Sequence, residues 1–220
     1  MNKVLVVAPH PDDETLGCGG TLLRHRAEGD SIHWLIVTRM DAKDGWPEQR
    51  IRSRAAELEK VQSHFGFATR KELGFATTRV DQVPRGELVK AFAEAYEKIE
   101  PEILYLPYDG DAHSDHRHIA EAAAAGCKWF RCPTLRQIFA YETLSETGFN
   151  LLAPAFRPNS YVDIASYLEG KLEAMRLYEG EMGRFPFPRS EDAIRAQAAM
   201  HGSACGKTAA EAFVLLRNIR

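Results

Sequence analysis

The chain carries near its beginning the run Val4-Leu5-Val6-Val7-Ala8-Pro9-His10-Pro11-Asp12-Asp13-Glu14. The five apolar residues in succession are typical of a short strand that is buried on both faces of a parallel sheet. The histidine and the two aspartates that follow are costly to bury at the end of such a strand unless a ligand binds them. Imidazole and carboxylate groups at this spacing suit a divalent metal ion. The run therefore predicts a parallel sheet with a metal site at its edge.

A second cluster of the same kind, His113-Ser114-Asp115-His116, occurs much farther along the chain. It follows another apolar run, Ile103–Leu106, and a turn-like Asp109-Gly110. The carboxyl ends of parallel strands lie at one edge of a sheet, and open α/β sheets bind their ligands there. A lone histidine or a lone Asp-Asp pair is more often structural or solvated, but two such clusters after two strands favour one shared metal site.

Strands and helices alternate along most of the chain. Strands are predicted over 3–8, 31–38, 71–73, 103–106 and 137–142, and helices over 15–28, 47–65, 85–99 and 119–129. The last third is less regular, with predictions of an extended segment at 160–164, helices at 167–181 and after Ser190, and a final strand or edge segment at 212–216. The alternation predicts a mostly parallel sheet with helices on both faces, a three-layer, Rossmann-like α/β/α sandwich. Because no repeat or linker interrupts it, residues 1–220 are expected to form a single domain.

Composition excludes several classes of protein. The 220 residues are 45% hydrophobic and 27% charged, as in an ordinary globular protein, and the net charge of −3 argues against a general nucleic-acid binder. We expect no transmembrane segment and, because no signal-peptide pattern is seen, a cytoplasmic location. The four cysteines form no C-x-x-C pair and are expected to be free thiols. Cys18 lies near the first motif, where packing beneath the loop is favoured over contact with a metal.

The chemistry of the first cluster follows from its backbone. A residue that precedes a proline is not helical, and successive side chains of an extended segment point in opposite directions. Asp12 and Asp13 should therefore face different ways. His10 and Asp13 are the natural pair of metal ligands, which leaves Asp12 as a free carboxylate near a metal-bound water, where a general base is needed.

The second cluster has two histidines three residues apart. If the segment opens a helical turn, His113 and His116 lie on one face, where one can be the third metal ligand and the other can donate to a developing oxyanion. The spacing alone does not say which is which. Asp115 can orient the catalytic histidine and favour its protonated form. Three protein ligands plus water are typical of a catalytic zinc site.

The two motifs together resemble the signature of the zinc-dependent sugar N-deacetylases of the PIG-L/LmbE type. That signature is a P/A-H-P-D-D-E loop after the first strand and an H-x-D-H segment later in the chain. The similarity extends to Arg54-Ala55-Ala56-Glu57-Leu58 and to Ala210-Glu211-Ala212-Phe213. It implies hydrolysis of the N-acetyl group of a 2-acetamido sugar conjugate, in bacterial glycan or glycoconjugate biosynthesis, with release of acetate and a free amine.

The resemblance also implies a role for each site residue. The metal ligands would be His10, Asp13 and His116, holding Zn²⁺, although Fe²⁺, Co²⁺ and Mn²⁺ accept similar ligands. The catalytic residues would be Asp12 as general base and His113, with Asp115 as its partner, at the oxyanion or the leaving amine. Arg54 would bind sugar hydroxyls. The role of Asp111 stays open, because some members of the family have a tyrosine there.

Other functions are compatible with part of this pattern. The same fold and metal serve a hydratase or a non-sugar amidase, and a metal-binding or sugar-binding module needs no chemistry, although such a module would need neither Asp12 nor His113. Gly17-Cys18-Gly19-Gly20 suggests a dinucleotide site only weakly, because the G-x-G-x-x-G spacing is not met. The expected partner is a small-molecule or glycoconjugate substrate. The sequence does not give the oligomeric state, and a homo-oligomer is compatible with it.

Overall fold

The computed structural model describes residues 1–220. It contains seven strands, β1 (Lys3–Ala8), β2 (Ser31–Arg39), β3 (Thr69–Ala76), β4 (Ile103–Pro107), β5 (Gln137–Tyr141), β6 (Ser160–Asp163) and β7 (Ala210–Asn218). It also contains six α-helices, α1 (Asp13–Ala27), α2 (Glu48–Phe65), α3 (Arg85–Ile99), α4 (Ser114–Gly126), α5 (Leu168–Arg176) and α6 (Glu191–Cys205). None of these helices combines the length and the apolar character needed to cross a bilayer.

All seven strands form one sheet, in the order β3-β2-β1-β4-β5-β7-β6. Pairing is parallel except around β7, which is antiparallel to both β5 and β6. The chain proceeds from β1 outward to β3 and then returns to place β4 on the other side of β1, so the strand order reverses between β1 and β4. Loops that leave the carboxyl ends of strands at such a reversal form the usual ligand-binding crevice of open α/β sheets.

The core has two layers, one on each face of the sheet. In β1, Val4, Val6 and Ala8 pack on the face covered by α1, α2, α5 and α6, while Leu5 and Val7 pack on the face covered by α3 and α4. Every one of these five side chains is fully buried. Period-two alternation of a strand that is apolar on both faces produces this arrangement. The predicted three-layer α/β/α sandwich is therefore confirmed.

Helix α1 is broken in its middle by a buried ion pair. Cys18 has φ −139° and ψ 15°, which is not helical. Just after the break, two backbone N–H groups donate to the carboxylate of Glu211 (2.9 and 2.7 Å). Just before it, the carbonyl oxygen of Leu16 accepts from Lys171 Nζ (2.8 Å), which also donates to Glu211 (2.6 Å). The pair therefore satisfies the backbone groups that the break leaves without helical partners.

The glycines of α1 allow close packing. A Cβ on Gly17 would lie 2.1 Å from the ring of Tyr141, and one on Gly20 would lie 2.8 Å from Ile164. The backbone can approach the sheet and its neighbours only because these positions lack side chains. The glycine-rich run thus has a packing role, and its contacts give no support to a dinucleotide site.

Several predicted elements differ from those of the structure, among them the helix predicted over 167–181, which ends at Arg176. Strand β3 is longer than the predicted 71–73, and α4 begins at Ser114 rather than at 119, because His113 caps its first turn through a bond from the Asp115 N–H. The segment predicted over 212–216 as a final strand or edge segment is the interior strand β7, paired on both sides. Local sequence could not show this, because residues 160–163 pair beyond it and form the edge.

Candidate metal centre and active-site cavity

The two predicted clusters meet at the reversal of strand order. The first loop leaves β1 at Ala8, and the second leaves β4 at Pro107; these strands are hydrogen-bonded neighbours. Asp13 is the first residue of α1, and His116 lies in the first turn of α4. Acidic residues are favoured in a first helical turn because the unpaired N–H groups and the helix dipole are positive there.

Three side-chain atoms converge between these loops. His10 Nδ1 lies 3.3 Å from Asp13 Oδ2, His116 Nε2 lies 3.2 Å from the same oxygen, and the two nitrogens are 3.3 Å apart. For zinc bonds of about 2.0–2.1 Å, neighbouring ligand atoms of a tetrahedral site are separated by about 3.3 Å. This trio, a compact group of histidine and carboxylate atoms, therefore fits a tetrahedral divalent metal without rearrangement.

Each histidine of the trio has a carboxylate partner on its other ring nitrogen. His10 Nε2 lies 3.0 Å from Asp115 Oδ2, and His116 Nδ1 lies 2.8 Å from Asp111 Oδ2. When these outer nitrogens donate to the carboxylates, the inner nitrogens carry lone pairs that point toward Asp13. Carboxylates behind ligating histidines fix the tautomer in this way at many metal sites.

The electrostatics of the trio favour a bound positive charge. Burial lowers the pKa of His10, but hydrogen bonds with Asp115 and Asp13 outweigh it and raise the value to about 9. Burial also opposes the shift of His116, whose pKa rises to about 10 because of Asp13 and Asp111. The pKa of Asp13 is held far below its ordinary value, against the effect of burial, by the two histidines. A metal cation would supply positive charge at the same place.

Asp12 is held in an unusual backbone conformation beside the trio. Its φ of 120° is rare for any residue other than glycine. Its N–H donates to the buried carboxylate of Glu14 (3.3 Å), which also accepts hydroxyl hydrogens from Thr15 and Tyr178 (both 2.6 Å). Glu14 therefore anchors the turn that carries Asp12 and Asp13.

The Asp12 carboxylate accepts no hydrogen bond within the protein and lines a cavity. Burial, with the charges of Asp13 and Glu181, raises its pKa well above the ordinary value, while Arg189 and Arg54 act in the opposite direction. A carboxylate with a raised pKa in a partly dry site can accept a proton from water more readily than an ordinary aspartate can.

His113 lines the same cavity on the side of the second loop. The N–H of Asp115 donates to His113 Nδ1 (3.1 Å), and burial lowers the pKa of this histidine. The neutral ring therefore carries its hydrogen on Nε2, which has no partner in the protein. Its ring packs edge-on against that of His10, with centroids 4.6 Å apart. This arrangement presents an N–H donor beside the trio.

The cavity above these groups has a volume of about 710 Å³ and is lined by 25 residues. Its volume is within the range of small-molecule sites. Arg54 lines it from α2, but its guanidinium is already engaged. One nitrogen donates to the Pro11 carbonyl (3.1 Å), and another pairs with Glu181. Arg189 also pairs with Glu181 (3.3 Å) and lies 3.9 Å from an oxygen of Asp12.

The structure thus brings together His10, Asp12, Asp13, His113 and His116 in one site. Asp115 differs from its predicted role: its carboxylate hydrogen bonds to His10 and to the N–H groups of Thr78 and Val80, and only its backbone contacts His113. The carboxylate of Asp115 thus bonds to His10 rather than to His113, because the neighbouring β1 and β4 loops turn His10 toward it.

Sequence reasoning missed several groups of the site. Asp111 has the role left open above, as the outer partner of His116; its position at a strand end, two residues before His113, was the available signal. Glu146 and Arg189 line the cavity from irregular segments distant in sequence, where no motif marks them. Burial raises the pKa of Glu146. Cys18 is fully buried beneath the loop and takes no part in the trio.

Comparison with known proteins shows the family of this chain. The family model of the PIG-L family, described as GlcNAc-PI de-N-acetylase, matches residues 5–127. The chain is 29% identical to the diacetylchitobiose deacetylase of Thermococcus kodakarensis, over 96% of this chain and 82% of that protein. It is 25% identical to a protein of Bacillus anthracis named as a probable N-acetyl-alpha-D-glucosaminyl L-malate deacetylase, over 81% of this chain and 80% of that one.

A solved structure has the same fold. The conserved protein TT1542 from Thermus thermophilus matches with a TM-score of 0.78 and 30% identity, over 100% of this chain and 97% of that chain. The similarity therefore extends beyond the two metal-site loops to the whole sheet and its helices.

Proposed function

This chain belongs to the PIG-L family, and we propose that it hydrolyses the N-acetyl group of a 2-acetamido sugar conjugate of the N-acetylglucosamine type. The products are acetate and a sugar with a free amine. The observation that carries the proposal is the trio of His10, Asp13 and His116, with an unbonded carboxylate and an imidazole N–H on either side of it. Hydrolysis of an amide needs a base for water and a donor for the developing negative charge, and the cavity supplies both.

The metal is the first part of the proposal. We assign His10 Nδ1, Asp13 Oδ2 and His116 Nε2 as its ligands, with Asp111 and Asp115 as the carboxylates behind the two histidines. Zn²⁺ suits two imidazoles and one carboxylate best, and Fe²⁺, Co²⁺ and Mn²⁺ accept the same donors. When bound, such an ion supplies Lewis acidity to the amide carbonyl and increases the acidity of the attacking water.

The residues of the chain perform the proton transfers. Asp12 takes a proton from the water as its oxygen attacks the carbonyl carbon. His113 donates a hydrogen bond from Nε2 to the carbonyl oxygen as negative charge develops there, or to the leaving nitrogen, without losing the proton. Asp12 then passes the proton that it took from water to the leaving nitrogen, the C–N bond breaks, and the sugar amine and acetate leave. Arg54, on the cavity wall, is assigned to sugar hydroxyls.

Further expectations go with this function. The presence of four free cysteines, with no disulfide in the structure, is compatible with the proposed cytoplasmic location. We propose that the chain acts as one domain on a small-molecule or glycoconjugate substrate. A homo-oligomer is compatible with this function.

The proposal is tested by acetate release from a panel of N-acetylglucosamine conjugates, with metal content measured on the same samples. Wild-type protein loaded with zinc is compared with Asp12→Ala and with Asp12→Asn, which keeps the shape of the side chain. We expect acetate release by the wild type alone, with one metal per chain in all three proteins, because Asp12 is the base and not a ligand.

Two outcomes would contradict parts of the proposal. Near-full activity of Asp12→Ala would show that another group is the base. An inactive wild type with one metal per chain would favour the metal-dependent hydratase, the non-sugar amidase or the binding module. Acetate release separates the first of these from a deacetylase, because hydration of a double bond releases no acetate.

A further inference from the structure

The arginines that line the cavity are all engaged by carboxylates of the protein. There are five of them, Arg39, Arg52, Arg54, Arg70 and Arg189. Arg39 pairs with Asp41 (3.2 Å), and Arg52 pairs with Glu48 (3.5 Å). A substrate that carried a carboxylate or a phosphate near its acetamido group would have to displace a protein carboxylate to reach any of these guanidiniums.

The other three arginines are engaged in the same way. Arg70 pairs with Glu59 (2.7 Å), while Arg54 and Arg189 share Glu181. Glu181 therefore holds two of the guanidiniums nearest to the general base. Removing either from Glu181 to bind an anion would leave this half-buried carboxylate with less compensation, with Arg50 (2.8 Å) and one other arginine still in contact with it.

Glu146 is the exception among the charged residues of the cavity. Its carboxylate has no ion pair within 4 Å and no hydrogen-bond donor in the protein, although the residue is half-buried. Its backbone is well anchored: the N–H donates to the Thr143 carbonyl (2.9 Å), and the carbonyl accepts from the Ala112 N–H (3.2 Å). Because Ala112 precedes His113, this anchoring fixes Glu146 beside the loop that carries the catalytic histidine.

Ser145 gives the same wall a second unused polar group. It lines the cavity next to Glu146, and its Oγ is buried without a hydrogen-bond partner. A buried polar atom without a partner is unfavourable until a ligand or water satisfies it. The wall formed by Ser145 and Glu146 therefore carries a negative charge without an ion-pair partner and a hydroxyl without a hydrogen-bond partner.

We propose that Glu146, with Ser145 beside it, selects substrates by charge, accepting sugars that present hydroxyl or ammonium groups and disfavouring those with an anionic group near the acetamido sugar. An ionised carboxylate accepts hydrogen bonds from hydroxyls, binds an ammonium more strongly and repels a carboxylate. The inference rests on the proposed deacetylase function and refines its substrate class: neutral or amine-bearing glycans rather than conjugates of acidic aglycones.

Three matched substrates test this selection: the methyl, 2-aminoethyl and carboxymethyl β-glycosides of N-acetylglucosamine. They present a neutral, a cationic and an anionic group at the same position. For the zinc-loaded wild type we expect kcat/KM for the aminoethyl glycoside to exceed that for the carboxymethyl glycoside by about tenfold, as for one charge-assisted contact. The difference should lie in KM, because Glu146 is given no part in the proton transfers of the reaction.

Variants assign the effect to one carboxylate. Glu146→Gln should reduce the preference to about twofold or less, Glu146→Asp should retain it, and Glu146→Lys should reverse it. Glu97→Gln is the matched control, because this exposed acid on α3 has the same charge and lies outside the cavity. It should leave the preference unchanged. Thermal unfolding of each variant verifies that it is folded.

The outcomes separate this inference from the function beneath it. No acetate from any glycoside with the wild type would overturn the proposed function, and this inference with it. Acetate from all three glycosides, with the same preference in wild type and Glu146→Gln, would overturn the charge selection alone. A wild type that favours the carboxymethyl glycoside would do the same, because Glu146 would then not set the charge preference of the site.

Discussion

Two groups of buried charge adjoin helix α1, and they differ in how the protein compensates them. At the middle of the helix, Lys171 and Glu211 are 2% and 4% exposed, bond to each other and complete their bonding with backbone groups. At the start of the helix, Asp13 is equally buried but meets the inner nitrogens of His10 and His116 at 3.2–3.3 Å. With the outer nitrogens bonded to carboxylates, the three inner atoms are all electron-pair donors.

This difference separates a structural cluster from a functional one. The Lys171 pair has opposite charges and donors matched to acceptors, so nothing further is needed to stabilise it. The trio needs a cation, either protons or a metal, because its inner atoms repel one another otherwise. Burial of charge is therefore a weak indicator of function by itself, and the lack of internal compensation is the better one.

The largest expected effect is that of removing the central ligand of the trio. Asp13→Ala deletes the oxygen that both histidines approach, so the variant should bind less than one-tenth of a metal ion per chain after dialysis. Its kcat/KM for acetate release should fall about 10⁴-fold or more, because the Lewis acid is lost. Metal analysis and acetate assay measure the two effects.

The matched control for this prediction is the neighbouring aspartate. Asp12→Ala should keep one metal per chain and still lose turnover. If Asp13→Ala retained stoichiometric metal, the trio would not be the site, and the contrast between the two buried groups would lose its basis.

A substitution in the Lys171–Glu211 pair should reduce the stability of the protein and leave its metal content unchanged. Lys171→Met leaves Glu211 buried without its cation, and we expect the free energy of unfolding to fall by about 3–5 kcal/mol. Metal content should stay at one per chain, because the backbone of the first loop does not depend on Lys171. Urea unfolding of the metal-loaded protein measures the first quantity, and metal analysis measures the second.

The exposed ion pair of Lys3 and Glu100 is the control for the stability effect of Lys171→Met. Lys3 and Glu100 lie 3.1 Å apart but are half exposed, so Lys3→Met should cost less than about 1 kcal/mol. The double variant Lys171→Met with Glu211→Gln should recover part of the stability lost by the single one. A cost of Lys171→Met no larger than that of Lys3→Met would show that the buried pair is not needed for stability.

The sequence predicted the metal-site trio but did not predict the Lys171–Glu211 pair. His10 and Asp13 could be selected because two motifs follow two apolar runs, and strands of one parallel sheet end at a common edge. Their positions left His113 and His116 as alternatives, and only the family resemblance implied His116 as the ligand. The pairing of Lys171 with Glu211 could not be predicted. The two residues lie 40 positions apart, on α5 and β7, and they meet only because β7 inserts antiparallel between β5 and β6. The same limit made 212–216 look like an edge segment.

The sequence predicted which residues lie in the site better than it predicted the role of each residue there. Asp115 was assigned to His113 because the two are close in sequence, yet it bonds to His10 across the boundary between β1 and β4. That choice depends on register and ring orientation, which a motif does not contain. Glu146 and Arg189 come from irregular segments, where neither hydrophobic periodicity nor a motif marks a residue as facing the cavity.

The outer carboxylates should have an intermediate effect. Asp111→Asn keeps an acceptor for His116 Nδ1 but removes the charge behind it, so we expect the metal dissociation constant to rise about tenfold. Competition with a chelator of known affinity measures the change. Asp109→Asn, an exposed acid two residues away, is the control and should leave the affinity unchanged. Equal affinities for both variants would mean that the outer carboxylate does not tune the ligand.

The smallest effect concerns a histidine whose partners are hydroxyls instead of carboxylates. His33 on β2 hydrogen bonds to Ser31 Oγ (3.1 Å) and Thr69 Oγ1 (2.9 Å), and burial lowers its pKa below the ordinary 6.5. The unfolded chain therefore takes up a proton at this position before the folded chain does, so His33 costs stability as the pH falls below about 6.5. At pH 7.5 it has no such effect, because it is neutral in both states.

His33→Gln should remove this pH dependence. Between pH 7.5 and 5.5, in chelator, the wild type should lose more free energy of unfolding than the variant, by less than about 1.4 kcal/mol, the value of one pKa unit. Since His10 and His116 titrate in both proteins, the difference isolates His33. An equal or larger loss in the variant would mean that the folded protein accommodates a charged His33. In that case hydroxyl partners would stabilise a buried imidazolium as well as carboxylates do. The carboxylates around His10 and His116 would then not be needed to explain why those two histidines hold a positive charge.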